Sequence, residues 1–269
     1  MAKPDYSILD RPEIVSFLFY PRKEGFFSGG EGGKGDILIP VAEDVVIGAR
    51  FHSAGTSAPT ILFFHGNGEI VSDYDDLGPI YVKLGVNFLP VDYRGYGRST
   101  GSPTVSAMMD DCHTIFTYVQ DWLKEKGHHG PFIVMGRSLG SISALELASH
   151  CWDEIDGLII ESGLAYAIPL LQLLGIDAGH LGISEEDGFS NIEKIETFPK
   201  PTLIIHAEHD HIIPFSDGQA LFEASPASDK RFLMIHGANH NDIFARGLTD
   251  YMNAIGDLLK AVGSISPLL

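Results

Sequence analysis

The chain has 269 residues, 44 % of them hydrophobic and 20 % charged, and a formal net charge of −18. That supplies the apolar material of one large α/β domain and excludes a disordered chain. The charge argues against polyanionic partners, because nucleic acid or an anionic membrane surface would repel it.

Cys112 and Cys151 are the two cysteines. Both fall in segments that read as helix, so no disulfide framework is expected and a reducing compartment is permitted. No apolar signal core opens the chain, and its longest apolar region, residues 164–176, is interrupted by Pro169 and Gln172. That region falls short of the roughly 20 residues needed to span a bilayer. The expectation is a soluble cytoplasmic protein with no membrane span.

Taken in order, residues 15–20, 36–40 and 45–51 look strand-like and suggest an antiparallel lead-in to a sheet. The glycine-rich residues 25–35 read as a flexible hairpin loop. A phosphate-binding loop at Gly33 and Lys34 is excluded, because Ser28 stands where its first glycine belongs and Gly35 where Ser or Thr is required. From Thr60 onward short apolar runs alternate with helix-length segments; the runs are residues 61–64, 88–91, 132–135, 158–160, 203–205 and 232–235. Unbroken apolarity means that both faces are covered, as in a parallel sheet between helices. The clearest helix is 105–126, where Met108, Cys112, Ile115, Val119 and Trp122 recur at helical spacing, and 139–149 and 248–262 are further candidates.

One connection breaks the rhythm. Roughly 40 residues separate the strand ending near Glu161 from the one starting near Thr202, against the usual 2 to 6. The excess is a candidate lid. Residues 164–176 carry Leu and Ile on nearly every side and should bury on more than one face, whereas Ser184-Glu185-Glu186-Asp187 is acidic and reads as a solvated loop or helix start.

The chemistry centres on Gly136-Arg137-Ser138-Leu139-Gly140, directly behind the run 132–135. A serine on so sharp a strand-to-helix turn is strained, and Gly136 and Gly140 remove the side chains that would otherwise collide. The turn lifts the Ser138 hydroxyl above the sheet and leaves the Leu139 N–H at a helix start, free to bond an oxyanion. A hydroxyl needs an imidazole to take its proton, and the imidazole needs a carboxylate to orient it. Asp210, after the strand 202–207, and His240, after the strand 232–235, follow Ser138 in the order nucleophile, acid, histidine. In His65-Gly66-Asn67-Gly68 the glycines let backbone approach a substrate oxygen, so that Asn67 N–H pairs with that of Leu139; His65 reads as structural.

These motifs, together with Asp92 to Ser99, His206 to Pro214 and Gly237 to Asp242, make the chain resemble the α/β-hydrolase superfamily. The likeness is to its short-lid serine hydrolases related to bacterial esterases and serine aminopeptidase-like proteins. The resemblance implies a single domain over residues 1–269, with a mostly parallel central sheet of about eight strands, helices on both faces and residues 164–198 as a lid insertion. A small-molecule substrate is implied, and no cofactor, metal or protein partner is expected. Two positions depart from the family pattern: Ser141 stands where many relatives carry a second glycine, and Asn239 where glycine is frequent. Tyr93 and Arg94 are expected to be structural, Asp242 to brace the histidine loop, and Glu161 to be the competing acid, as in some relatives. His206, His209 and His211 lie across a strand end and lack the shared helix face of a zinc motif. Serine at the elbow argues against the aspartate-using dehalogenase and epoxide hydrolase branches. The expected reaction is cleavage of a carboxylic ester with a small or medium apolar acyl group, with amide, peptide or thioester hydrolysis and non-catalytic ligand binding as alternatives.

Overall fold

The computed structural model describes residues 5–25 and 35–263; the loop expected at 25–35, including Ser28, Gly33 and Lys34, lies almost wholly outside them. Eight strands form one sheet: β1 (Asp36–Ala42), β2 (Val45–Arg50), β3 (Thr60–Phe64), β4 (Asn87–Val91), β5 (Phe132–Arg137), β6 (Gly157–Glu161), β7 (Thr202–Ala207) and β8 (Lys230–Ile235). Their order is β1-β2-β4-β3-β5-β6-β7-β8. β1 and β2 run antiparallel to each other, and β2 to β4; every pairing from β4 to β8 is parallel.

Every residue of β3 to β7 is buried, as continuous apolar runs require. Alternation along a strand divides those residues between two cores. Leu62 and Phe64 join a cluster with Met108, Val119 and Leu145 of α3 (Val105–Glu125) and α4 (Gly140–His150). Ile61 and Phe63 join one with Tyr81 of α2 (Gly78–Lys83) and Tyr251 and Leu258 of α8 (Ile243–Ala261). Each large side chain so buried contributes about 1.5–3 kcal/mol, so the sheet is the rigid frame on which the loops sit.

Residues 15–20 do not form a strand. They fall largely in α1 (Pro12–Leu18), which starts with proline in its first turn and buries Ile14 and Leu18, four residues apart. The apolar residues Val15, Phe17 and Phe19 alternate like a strand, but Phe17 is 58 % exposed; the helical pair, not the alternation, faces the core. The last helix begins five residues before the expected 248. Gly247 kinks it at φ −133°, and a Cβ there would meet Ile235 at 2.7 Å, so the helical spacing becomes regular only after the kink.

The long connection between β6 and β7 contains α5 (Ala167–Leu173), a 3₁₀ turn at Glu185–Asp187 and α6 (Asn191–Ile195). Its apolar half is not buried all round: α5 packs Ala167 and Leu171 inward, while Leu173 is 54 % exposed. Glu185 is not simply solvated, since its carboxylate accepts the N–H groups of Ala167 and Ile168 at the start of α5. α7 (Phe215–Ala224) follows β7. Among the described residues no helix is long and apolar enough to cross a membrane.

Candidate active site

β5 delivers Ser138 in the strained backbone its sequence anticipates, with φ +51°. A Cβ on Gly136 would lie 2.3 Å from Gly140 O, and one on Gly140 would lie 2.1 Å from Phe64 O. Only glycine therefore lets the turn and α4 close against β3. Ser141 donates from Oγ to Ser138 O at 2.6 Å and accepts Leu164 N–H at 3.1 Å. The position where relatives carry glycine thus ties the elbow to the start of the β6–β7 connection.

Ser138, Asp210 and His240 meet at the C-terminal edge of the sheet. Ser138 Oγ–H donates to His240 Nε2 at 3.1 Å, and His240 Nδ1–H donates to Asp210 Oδ2 at 2.8 Å. The other Asp210 oxygen accepts the amides of Ile212 and Ile213 at 3.0 and 2.9 Å. Burial alone would raise this carboxyl, but the His240 hydrogen bond and charge, with the two amides, outweigh it and hold the pKa at about 2. An ionised acid, an imidazole and a hydroxyl in line can pass one proton from oxygen to nitrogen.

Asn67 and Leu139 face the same space. Neither amide donates to an acceptor among the described residues, whereas the Asn67 side chain is pinned by Tyr96 O–H at 2.6 Å and Tyr20 N–H at 2.8 Å. Gly68 takes φ +76°, which turns the loop behind Asn67. His65 is buried, donates from Nδ1 to Gly66 O at 2.8 Å and meets Asp92 Oδ1 through Nε2 at 3.2 Å; Tyr93 O–H donates to His65 O at 2.6 Å. Arg94 forms a fork with Asp111 at 2.7 Å. Asp242 accepts Asn239 N–H at 2.7 Å and so braces the histidine loop, and Asn239 Oδ1 accepts Asn241 N–H at 2.9 Å.

The three histidines near Asp210 diverge. His206 is buried and donates from Nε2 to Ile213 O at 3.0 Å, while His209 and His211 are exposed. Burial pushes the His206 imidazole below its ordinary pKa, which keeps it neutral.

Arg137 and Glu69 have a part in this site that the motif reading did not include. Arg137 occupies the variable position of the elbow, and its guanidinium is buried. It donates to Glu69 Oε1 at 2.9 Å, to Glu161 Oε1 at 2.8 Å and to His240 O at 2.9 Å. Glu69 Oε2 in turn accepts Gly66 N–H at 2.7 Å and Tyr74 O–H at 2.5 Å, and Glu161 Oε2 accepts Tyr251 O–H at 2.6 Å. One cation thereby joins the elbow, the Asn67 loop and the histidine loop. Burial would raise the Glu69 pKa, but the Arg137 charge and the Tyr74 hydrogen bond bring it to about 2. Glu161 faces Arg137 rather than His240. The signal was available in the sequence: an arginine between a buried strand and a buried helix must find carboxylates.

A cavity of about 250 Å³ opens onto Ser138 and His240. Leu18, Leu164, Leu170, Leu174, Ile212 and Ile213 give its wall an apolar part.

Residues 55–175 match the serine aminopeptidase S33 family. The chain is 32 % identical over 213 residues to human alpha/beta hydrolase domain-containing protein 17C, covering 75 % of this chain and 59 % of that protein. It is 32 % identical over 194 residues to the Caenorhabditis elegans protein aho-3, covering 68 % and 53 %. The aligned part thus spans between half and two thirds of these curated relatives. An esterase structure from Pyrococcus furiosus superposes with a TM-score of 0.68 at 18 % identity, covering 90 % of this chain and 97 % of that one. The chain thus has the α/β-hydrolase fold and is similar in sequence to alpha/beta hydrolase domain-containing proteins.

Proposed function

We propose that the protein is a serine hydrolase that cleaves a carboxylic ester of a small or medium apolar acyl group through an acyl-enzyme on Ser138. The observation that carries this reading is the unbroken line from Ser138 Oγ through His240 to Asp210, at 3.1 and 2.8 Å, facing two undonated amides. His240 takes the Ser138 proton as Oγ attacks the carbonyl carbon, and the oxyanion forms between Asn67 N–H and Leu139 N–H. His240 then gives the proton to the leaving alcohol, and water repeats the sequence on the acyl group. Relatives and fold neighbours with hydrolase and esterase names support the same class.

Residues 164–198 act in this reading as the lid over the acyl group, supported by Leu164, Leu170, Leu173 and Leu174 in the cavity wall. A reducing, cytoplasmic setting belongs to the proposal and is supported by two unpaired cysteines. The test is hydrolysis of p-nitrophenyl esters of increasing acyl length, with Ser138→Ala as the blank. Wild-type turnover of an ester with a small or medium acyl group that disappears in the variant is the expected result. No turnover above background on any ester would reject the ester reading and direct the assay to thioesters and amides.

A further inference from the structure

We propose that His113, Glu146 and His150 bind a zinc-like divalent ion at the end of α4 remote from Ser138. Glu146 and His150 are four residues apart and share one face of α4, and His113 reaches the same point from α3. The site lies some ten residues from the elbow, about 15 Å along the helix, and touches none of the hydrolytic groups.

The donors are arranged as ligands are. Glu146 is 1 % exposed, and its Oε2 is already oriented by Lys194 Nζ at 2.7 Å and Tyr6 O–H at 3.1 Å. Its Oε1 lies 3.3 Å from His113 Nε2 and 3.5 Å from His150 Nδ1, and all three donor atoms fall within 4.8 Å of one another. Charge-assisted hydrogen bonds draw in to about 2.7–2.9 Å. Ligands held at 2.0–2.1 Å around a tetrahedral zinc are instead about 3.3–3.4 Å apart, close to the two spacings found here. Fixing a ligating carboxylate through its second oxygen is the outer-shell support that metal sites require.

Access and chemistry agree with this. The His113 and His150 side chains are 33 % and 43 % exposed, so an ion has an open side for water. Cys151 Sγ lies 4.0 Å from the remaining ring nitrogen of His113, outside the donor set. Two imidazoles with one carboxylate suit Zn²⁺, Cu²⁺ or Ni²⁺ rather than Mg²⁺ or Ca²⁺. His150 Nδ1 also lies 3.0 Å from Glu146 O and 2.8 Å from Ser149 Oγ, contacts that a bound ion replaces. Among the described residues no other three His, Cys, Asp or Glu side chains bring donor atoms this close. The bound ion would clasp α3 to the end of α4.

Zn²⁺ titrated calorimetrically into the full chain near neutral pH tests the proposal, with His113→Ala, His150→Ala and His240→Ala alongside. The first two remove partly exposed side chains, and the third reports any ion taken up by the hydrolytic histidine. One Zn²⁺ per chain in wild type and in His240→Ala, weakened at least about tenfold in each of the other two, is the expected result. A zinc-dependent rise in melting temperature should disappear in the same two variants. The proposal is overturned by no saturable binding to wild type, by binding that survives both His113→Ala and His150→Ala, or by binding that His240→Ala abolishes.

Discussion

The loops around Ser138 and the connection between β6 and β7 border the same cavity, yet they are held by different forces. At the loops a buried guanidinium donates to two carboxylates and a carbonyl, and the carboxylates accept further N–H and O–H groups. The connection has polar ties away from the cavity: Leu164 N–H donates to Ser141 Oγ, Ala165 N–H to Asp217, Asn191 Nδ2–H to Leu164 O, Arg11 to Leu181 O, and Lys194 pairs with Glu146. The residues it turns toward the cavity are leucines. Charge pairing in a low-dielectric site has one good geometry, whereas apolar contact tolerates many. The part that would carry out chemistry is fixed, and the part that would meet the acyl group is adjustable.

The largest expected effects lie on the fixed side. Ser138→Ala or His240→Ala should remove about 10⁴ to 10⁶ of the rate and Asp210→Asn about 10⁴, read as kcat on the best ester. Near-normal turnover in any of them would take that residue out of the triad. Arg137→Gln should come next. It leaves Glu69 and Glu161 without their cation and should cost about 3–5 kcal/mol of stability, measured by urea denaturation. It should also lower kcat more than it raises KM, because Gly66 and His240 lose their common brace. An Arg137→Gln protein with normal kcat and only lower stability would reduce the network to packing and weaken the contrast between the two regions.

Acid should act on the same side. Glu69 and Asp210 are held at about 2, against ordinary values of 4.5 and 3.8. Depressed carboxyl pKa values stabilise the fold fully above the ordinary values and lose that contribution as pH falls toward 2. Denaturant stability measured from pH 7 to 2 should therefore hold to about pH 4.5 and then drop. In Arg137→Gln the Glu69 part of that drop should shrink, because the charge that holds its carboxyl below the ordinary value is gone; a drop of unchanged size would show that Arg137 does not set it.

How far these features could be read from sequence follows the same division. Sheet strands are legible because continuous apolar runs leave few other options, and the elbow is legible because Gly136 and Gly140 answer a steric demand at 2.3 and 2.1 Å. Ser138, Asp210 and His240 come together because strand order places the ends of β5, β7 and β8 on one edge. Residues 15–20 misled because Phe17 is an exposed aromatic, which local alternation counts as core. Arg137 was visible but not interpretable by motif: its partners Glu69 and Glu161 are 68 and 24 residues away. Their meeting depends on the β3–β5–β6 arrangement. The kink at Gly247 was hidden for the same reason, since the Ile235 side chain that requires it belongs to another strand.

The smallest effects should come from the adjustable side and decide whether residues 164–198 serve substrate at all. Leu173 lines the cavity yet is 54 % exposed, so Leu173→Ala should change stability by less than about 0.5 kcal/mol. Losing apolar contact with an acyl chain costs about 0.8 kcal/mol per methylene no longer covered, or roughly fourfold in kcat/KM. The loss should grow with acyl length, because short chains need not reach α5, and Leu170→Ala should show the same trend. An equal loss on acetyl and octanoyl esters would mean that the leucines act by holding the connection in place. The wall would then belong with the fixed parts of the site, and chain-length selection would have to come from Ile212, Ile213 and Leu18, which line the same cavity.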